Sequence, residues 1–358
     1  MGEKVIAIAK LMLSKGLPLC VYRFPGQREL RLAVLPELLA HKPETSFWIA
    51  PFTPHSEAKE IVLSVVDEAF LNETFAERLH SISGKHIQFS TLPEAVTQDA
   101  YLKQFEAIQD SISNGTIQKA ILSRVIIEDK PYDFDPVGFF GRLCSDYPDA
   151  FVHLLYYPDA GMWLGATPEL LVEKEARHLR IMAVAGTQPV NSDGRYHWRA
   201  KEQEEHAMVG RHIEAICDEY QCKQISQTEP FAVSAGSVAH LRTDYVYREN
   251  IPIPLRDFLH RLHPTPAIGG LPVDKSVDVI CDTEMYDRAY YCGFLGETDF
   301  AAHARVFVNL RCMQVGKEYV AVFVGGGITK DSNADEEWEE TVMKSKTMID
   351  KLKTLQGV

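Results

Sequence analysis

The sequence predicts an α+β fold built on antiparallel sheets, and two patterns carry that expectation. Strand-like apolar runs follow one another across short turn segments such as Pro158-Asp-Ala-Gly161 and Gly316-Lys317, which is the pattern of hairpins. Strands and helices do not alternate in the βαβ rhythm of a parallel sheet. There is no Walker A sequence, no G-x-G-x-x-G after a first strand and no G-x-S-x-G, which argues against nucleotide binding and serine hydrolysis. The 358 residues, 46% of them hydrophobic, are ample for a large core. A net charge of −13 argues against non-specific nucleic-acid binding but leaves room for a local basic pocket. No apolar run approaches the ~18–20 residues of a membrane span. The stretch Met1–Lys10 has charges on both sides and no clear cleavage site, so it reads poorly as a signal peptide. Seven cysteines at irregular spacing, with no C-x-x-C, read as reduced, mostly buried thiols of a cytoplasmic protein.

Residues 1 to about 95 are the least informative. Val5–Leu13 reads as a helix ended by Gly16-Leu-Pro18. Leu19–Phe24, Leu30–Leu35 and Ser46–Pro51 read as short strands, and Pro51 to Ser90 as connections. Thr97–Ser113 is a helix with Thr97 as its cap and an apolar stripe of Tyr101, Leu102, Phe105, Ile108 and Ile112. The strand 118–127 puts Lys119, Ile121, Ser123 and Val125 on one face. A lysine there is either a snorkelling edge residue or a functional amine. Phe139–Ser145 reads as helical, and Phe151–Tyr157 and Met162–Ala166 as strands. Glu169, one residue after a proline between apolar runs, is a helix-start charge or a buried acid with a raised pKa. Arg180–Ala185 is a strand ending in the small-residue turn Ala185-Gly186-Thr187, whose N–H groups could meet an anion. Trp198–Tyr220 is a long helix with Glu202 and Glu205 on one face and His206 beside them. This acidic start is favoured by the macrodipole in any case. Phe231–Tyr247 reads as one or two strands, Leu255–Leu262 as a helix, residues 263–270 as a rigid turn, and Ser276–Glu284 as helical. Ala304–Val315 and Glu318–Val324 form a hairpin, with Arg311 on its first strand and a cross-strand ion pair as its ordinary explanation.

The stretch 322–344 organises the rest. An apolar run ends in Gly325, Gly326 and Gly327, which read as a turn with bare backbone. N-capping types follow at Asp331, Ser332, Asn333 and Asp335, then a helix to about Leu355. Glu337, Glu340 and Lys344 stand at i, i+3 and i+7, so they share a face with neighbours roughly 5–6 Å apart. A strand, a turn and a solvated helix with a Glu340–Lys344 pair would explain this equally. Two acidic helix faces, Glu202/Glu205 and Glu337/Glu340, suggest one shared hard cation such as Mg²⁺. Lys344 and Arg311 could hold an anion beside it, with Lys119 and Glu169 as a possible base and acid.

Taken in order, these segments resemble the chorismate-utilising enzymes: isochorismate synthase, salicylate synthase and the large subunits of anthranilate and aminodeoxychorismate synthases. The motifs are Lys119-Ala-Ile-Leu-Ser-Arg124, Gly165-Ala-Thr-Pro-Glu169, Ala185-Gly186-Thr187, Lys201-Glu-Gln-Glu-Glu-His206, His240-Leu-Arg242, His263-Pro-Thr-Pro266, Arg311, and the glycines through to Lys344. Ala334 departs from the family, which often has proline there. The resemblance implies a two-layer antiparallel core flanked by helices. It implies a single chorismate-binding domain over 1–358, with 1–96 a variable N-terminal part and 97–358 the catalytic core. It implies Glu205 and Glu340 as Mg²⁺ ligands, with Glu202 and Glu337 holding metal-bound water or orienting them. Substrate contacts fall to Ala185, Gly186, Thr187, Leu241, His263, Arg311, Gly326, Gly327 and Lys344, and catalysis to Lys119 as base and Glu169 as acid. A lysine at 119 fits members that use water and favours isochorismate synthase. The N-terminal Leu-Leu-Glu-Ser element associated with tryptophan feedback is absent. The expected reaction turns chorismate into isochorismate, feeding menaquinone or a siderophore, in a cytoplasmic monomer that needs no nucleic acid and no membrane. Salicylate synthase, an ammonia-using synthase subunit and a non-catalytic binding protein remain as alternatives.

Overall fold

The computed structural model describes residues 2–41, 43–191, 194–236 and 238–356. Among the described residues, seventeen strands form one hydrogen-bonded path in which every pairing is antiparallel. Gly270–Leu271 lies beside Lys119–Asp129, followed by Tyr319–Thr329, Cys312–Val315, Gly161–Thr167, Phe151–Tyr157, Leu19–Arg23, Arg31–Val34 and Ile61–Val66. The path continues through Ser46–Ala50, Phe294–Thr298, His303–Val308, Leu170–Glu175 and His178–Pro189 to Val238–Glu249. The far edge of Val238–Glu249 carries both Cys222–Gln227 and Phe231–Ala235.

The path folds back on itself, so strands far apart along it face each other as two layers. Phe151 and Phe307 come from opposite layers and stack at 4.4 Å with rings 7° apart, and Tyr22 donates its hydroxyl to Glu297 across the same interior. Burial of these aromatic faces between the layers is the main apolar driving force. A second core lies outside the first layer. There Glu3–Ser14, Glu73–Ser81, Pro136–Asp146 and the end of Ala334–Gln356 cover Val21, Val34, Leu154, Leu164 and Val322. Gln98–Ser113 and Val273–Thr283 pack on Lys119–Asp129, and Ala200–Glu219 packs on His178–Pro189.

Most predicted elements are present, with most ends shifted by up to three residues, as where Phe139–Ser145 begins at Pro136 and Ser276–Glu284 at Val273. Thr97 caps its helix by accepting the Ala100 N–H. Five of the seven cysteines are buried and all are free. Four local expectations fail. Residues 51–90 are not only connections: they contain the strand Ile61–Val66, an apolar run broken only by Ser64, and the short helix Glu73–Ser81, whose few apolar residues are interrupted by charge. Gly325–Gly327 is not a turn, because the strand runs through it to Thr329, in register against Ser123, Leu122 and Ile121. Nor is Ala185-Gly186-Thr187 a turn: it is a bulge inside His178–Pro189, where the register slips opposite His240 and Leu241 and Gly186 takes φ +73. Arg311 lies between strands at φ +48, not on one, and has no carboxylate partner among the described residues.

Candidate active site

The site sits beneath the N-terminal halves of Ala200–Glu219 and Ala334–Gln356. A cavity of about 90 Å³ opens between the start of Lys119–Asp129 and the end of Tyr319–Thr329 on one side and the bulged strand on the other. Lys119, Glu169, Ala185, Gly186, Thr187, Glu205, Arg311, Gly327, Glu340 and Lys344 all line it. The two distant acidic helices therefore do meet, and the amine at 119 shares one chamber with the acid at 169.

Lys119 is the first residue of its strand and only 2% exposed, so it is no edge residue. It makes no ion pair among the described residues, and burial lowers its pKa against the opposing pull of Glu205. Glu169 is likewise buried, with no hydrogen bond to its carboxyl group among the described residues. Burial pushes its pKa up to about 7, although Lys344, Lys119 and Arg311 pull the other way. The chamber thus holds an amine biased toward its neutral form and a carboxyl group biased toward its acid form.

Arg311 donates to Thr347 Oγ1 at 3.2 Å, the Lys344 carbonyl at 3.4 Å and His240 Nε2 at 3.2 Å. Accepting at Nε2 leaves the His240 proton on Nδ1, 3.1 Å from the Gly186 carbonyl that accepts it. Burial, Arg311 and Lys344 all push the His240 pKa well down, so this ring is neutral. The guanidinium is anchored by neutral groups and keeps its charge for a ligand anion. Lys344 donates to the Gly325 carbonyl at 3.0 Å and to Glu340.

Glu202, Glu205, Glu337 and Glu340 line a smaller adjoining cavity of about 40 Å³ with Thr187, Arg199 and Lys201. Three of these acids are engaged. Glu202 reaches back to the N–H and guanidinium of Arg199, Glu337 meets Lys201 at 2.5 Å, and Glu340 meets Lys344 at 2.5 Å. Burial raises Glu340, but Lys344, Lys201 and a hydrogen bond from Thr187 more than offset it, and its pKa falls. Burial raises Glu337, assisted by Glu340. Glu205 is raised by burial against Lys119, and its Oε1 is buried with no hydrogen-bond partner. Among the described residues, no three acidic, histidine or cysteine side chains converge as a ready metal cage. The donors are nonetheless all hard carboxylate oxygens, one of them orphaned, and that chemistry fits a hard divalent cation.

The glycines matter through closeness. A Cβ on Gly327 would stand 3.1 Å from Lys119 Cε and 3.3 Å from Glu205 Oε1, and one on Gly326 3.1 Å from Glu337 Oε2. Gly326 therefore backs the acidic cluster and does not line the main chamber. Two expected substrate contacts are placed elsewhere. Leu241 points away with Thr243 and Tyr245, by strand alternation, into a separate cavity of about 530 Å³ behind Ala200–Glu219. His263 is buried behind the chamber, where it donates to the Cys292 carbonyl at 2.8 Å, and burial pulls its pKa down to about 4. Sequence reasoning put the contact at Leu241 and missed its neighbour His240, which lines the chamber. His206 is a hydrogen-bonded partner of the strand Val238–Glu249: its Nε2 is 2.8 Å from Thr243 Oγ1.

Comparison with known proteins gives this geometry a family. The family model for "Chorismate binding enzyme" matches residues 29–353. The chain belongs to the chorismate binding enzymes. The chain is 26% identical over 271 residues to the isochorismate synthase EntC of Escherichia coli, covering 74% of this chain and 68% of that one. It is 28% identical over 271 residues to the isochorismate synthase MenF of Bacillus subtilis, covering 72% of this chain and 56% of that one. The solved structure of MenF, the menaquinone-specific isochorismate synthase of Escherichia coli, superposes with a TM-score of 0.77 at 19% identity. That superposition covers 97% of this chorismate binding enzyme and 91% of MenF, and the two share the α+β fold. No helix among the described residues is long and apolar enough to cross a membrane.

Proposed function

We propose that the protein is an isochorismate synthase, adding water at C2 of chorismate while the C4 hydroxyl leaves. The observation that carries this reading is the pairing of a buried, unpaired Lys119 with a buried Glu169 raised to about 7 in one chamber. Water is a poor nucleophile and needs a base, which Lys119, its pKa lowered by burial, supplies by taking the proton at Nζ when in its amine form. Hydroxide is a poor leaving group and needs an acid, which protonated Glu169 supplies at the C4 oxygen. The guanidinium of Arg311 binds one substrate carboxylate, held in place by His240 and Thr347. Lys344 and the backbone N–H groups of the Gly186–Thr187 bulge assist the substrate's carboxylates.

Glu205 and Glu340 would hold Mg²⁺, with Glu202 and Glu337 behind them. Bound there, the ion would neutralise the ring carboxylate and withdraw electron density from the ring. The isochorismate synthases among the relatives support this reading, and menaquinone or siderophore supply is its metabolic setting. Incubation of the pure protein with chorismate and Mg²⁺, with products separated by chromatography, tests it. Isochorismate is expected. Salicylate with equimolar pyruvate would make it a salicylate synthase instead, and anthranilate formed with ammonium salts would make it an ammonia-using synthase subunit.

A further inference from the structure

The acidic cavity holds a cation of the protein's own. Lys201, in the first turn of Ala200–Glu219, reaches across to the facing helix and places its ammonium 2.5 Å from Glu337 Oε1. Glu337 is 3% exposed and Lys201 19% exposed. The same ammonium lines one cavity with Glu205 and Glu340. The other basic groups are fixed differently. Arg199 grips Glu202 from outside, 62% exposed, and Lys344 is tied to the Gly325 carbonyl as well as to Glu340. Lys201 has three N–H donors, and Glu337 is its one hydrogen-bond partner among the described residues. Of the three basic groups that pair with these carboxylates, it is the one held by the fewest bonds.

We propose that Lys201 is an exchangeable stand-in cation, which neutralises the acidic cluster in the metal-free protein and must swing outward when a divalent ion enters. The proposal rests on the Mg²⁺ reading above. Buried carboxylates this close cannot remain uncompensated. A flexible, compact ammonium on a four-carbon stem can supply the charge without moving either helix, and can leave by rotating toward solvent. The protein thereby keeps its two acidic helices together without metal. In exchange, its affinity for the ion is lowered, because each binding event must first expel the lysine.

The test is calorimetric titration of Mg²⁺ into the full, chelator-treated chain, alongside thermal unfolding with and without Mg²⁺. Lys201→Met keeps the stem and removes the charge. It is expected to bind Mg²⁺ about tenfold more tightly than the wild type, the range of a close charge contact. It should melt lower without metal and gain more from added Mg²⁺. Lys201→Arg, whose fork can hold Glu337 with two bonds, should bind Mg²⁺ several-fold more weakly at an unchanged metal-free melting temperature. Equal or weaker Mg²⁺ binding by the methionine variant would overturn the proposal and leave Lys201 as a support for Glu337. If the methionine variant does not fold, the arginine variant decides: wild-type Mg²⁺ affinity would overturn the proposal. If the wild type and both variants show no Mg²⁺ binding, the metal reading itself fails and takes this one with it.

Discussion

The two adjoining cavities both hold carboxylates and basic groups, and treat most of them in opposite ways. In the larger chamber Lys119 and Glu169 are buried without ion partners, and burial drives each toward its neutral form. In the acidic cavity three of the five carboxylates, those of Glu202, Glu337 and Glu340, are matched to a cation within hydrogen-bond reach. The difference lies in what surrounds each charge. An unpaired buried group shifts its protonation and becomes available for proton transfer, whereas a paired one keeps its charge and becomes available for binding. Proton chemistry and ion binding thus lie on either side of a thin wall made by Thr187, Glu205, Gly327 and Glu340, which line both cavities.

The sharpest way to break this division is to remove the unpaired amine. Lys119→Ala should lower turnover by about 10³-fold, within the range for a general base, while substrate binding measured by calorimetry stays within a few-fold. Near-normal turnover would remove Lys119 from that role. Glu169→Gln should cost about 10²-fold or more in turnover. With the acid raised from 4.5 to about 7, wild-type activity should also fall as pH rises through about 7. The same raised group favours folding below its unfolded value and loses that contribution as pH rises through about 7. The melting temperature of the wild type should therefore decline across that window more than that of Glu169→Gln.

On the binding side, Glu340→Ala should weaken Mg²⁺ binding about tenfold or more by calorimetry, together with activity, and unchanged affinity would contradict the ligand assignment. Arg311→Lys, which loses the planar fork, should raise KM about tenfold with a smaller change in kcat. The smallest expected effect tests the wall itself. Gly327→Ala should cost a few-fold in both turnover and Mg²⁺ affinity, because its methyl group would press on Lys119 Cε and Glu205 together. An effect on only one of the two would show that the cavities are less closely joined than the distances indicate.

Much of this was legible in the sequence wherever the signal was local and periodic. The capped helix after Thr97, the helical spacing of Glu337, Glu340 and Lys344, and the hairpins that imply an antiparallel α+β fold depend only on neighbouring residues and their repeat. Ordered motifs also placed the candidate acid, base and carboxylates. What the sequence could not decide depends on residues far apart in the chain. Gly325–Gly327 lies in strand because Ile121–Ser123 pairs with it, and a glycine run has no side chain with which to announce a partner. The choice of His240 over Leu241 turns on a bulge of one residue in the neighbouring strand, which resets which face looks inward. The burial of Lys119, the raised pKa of Glu169 and the pairing of Lys201 with Glu337 exist only once two layers and two helices close on one point. Charge state in a protein is set by the surroundings that folding assembles, and those are not written in the residue that carries the charge.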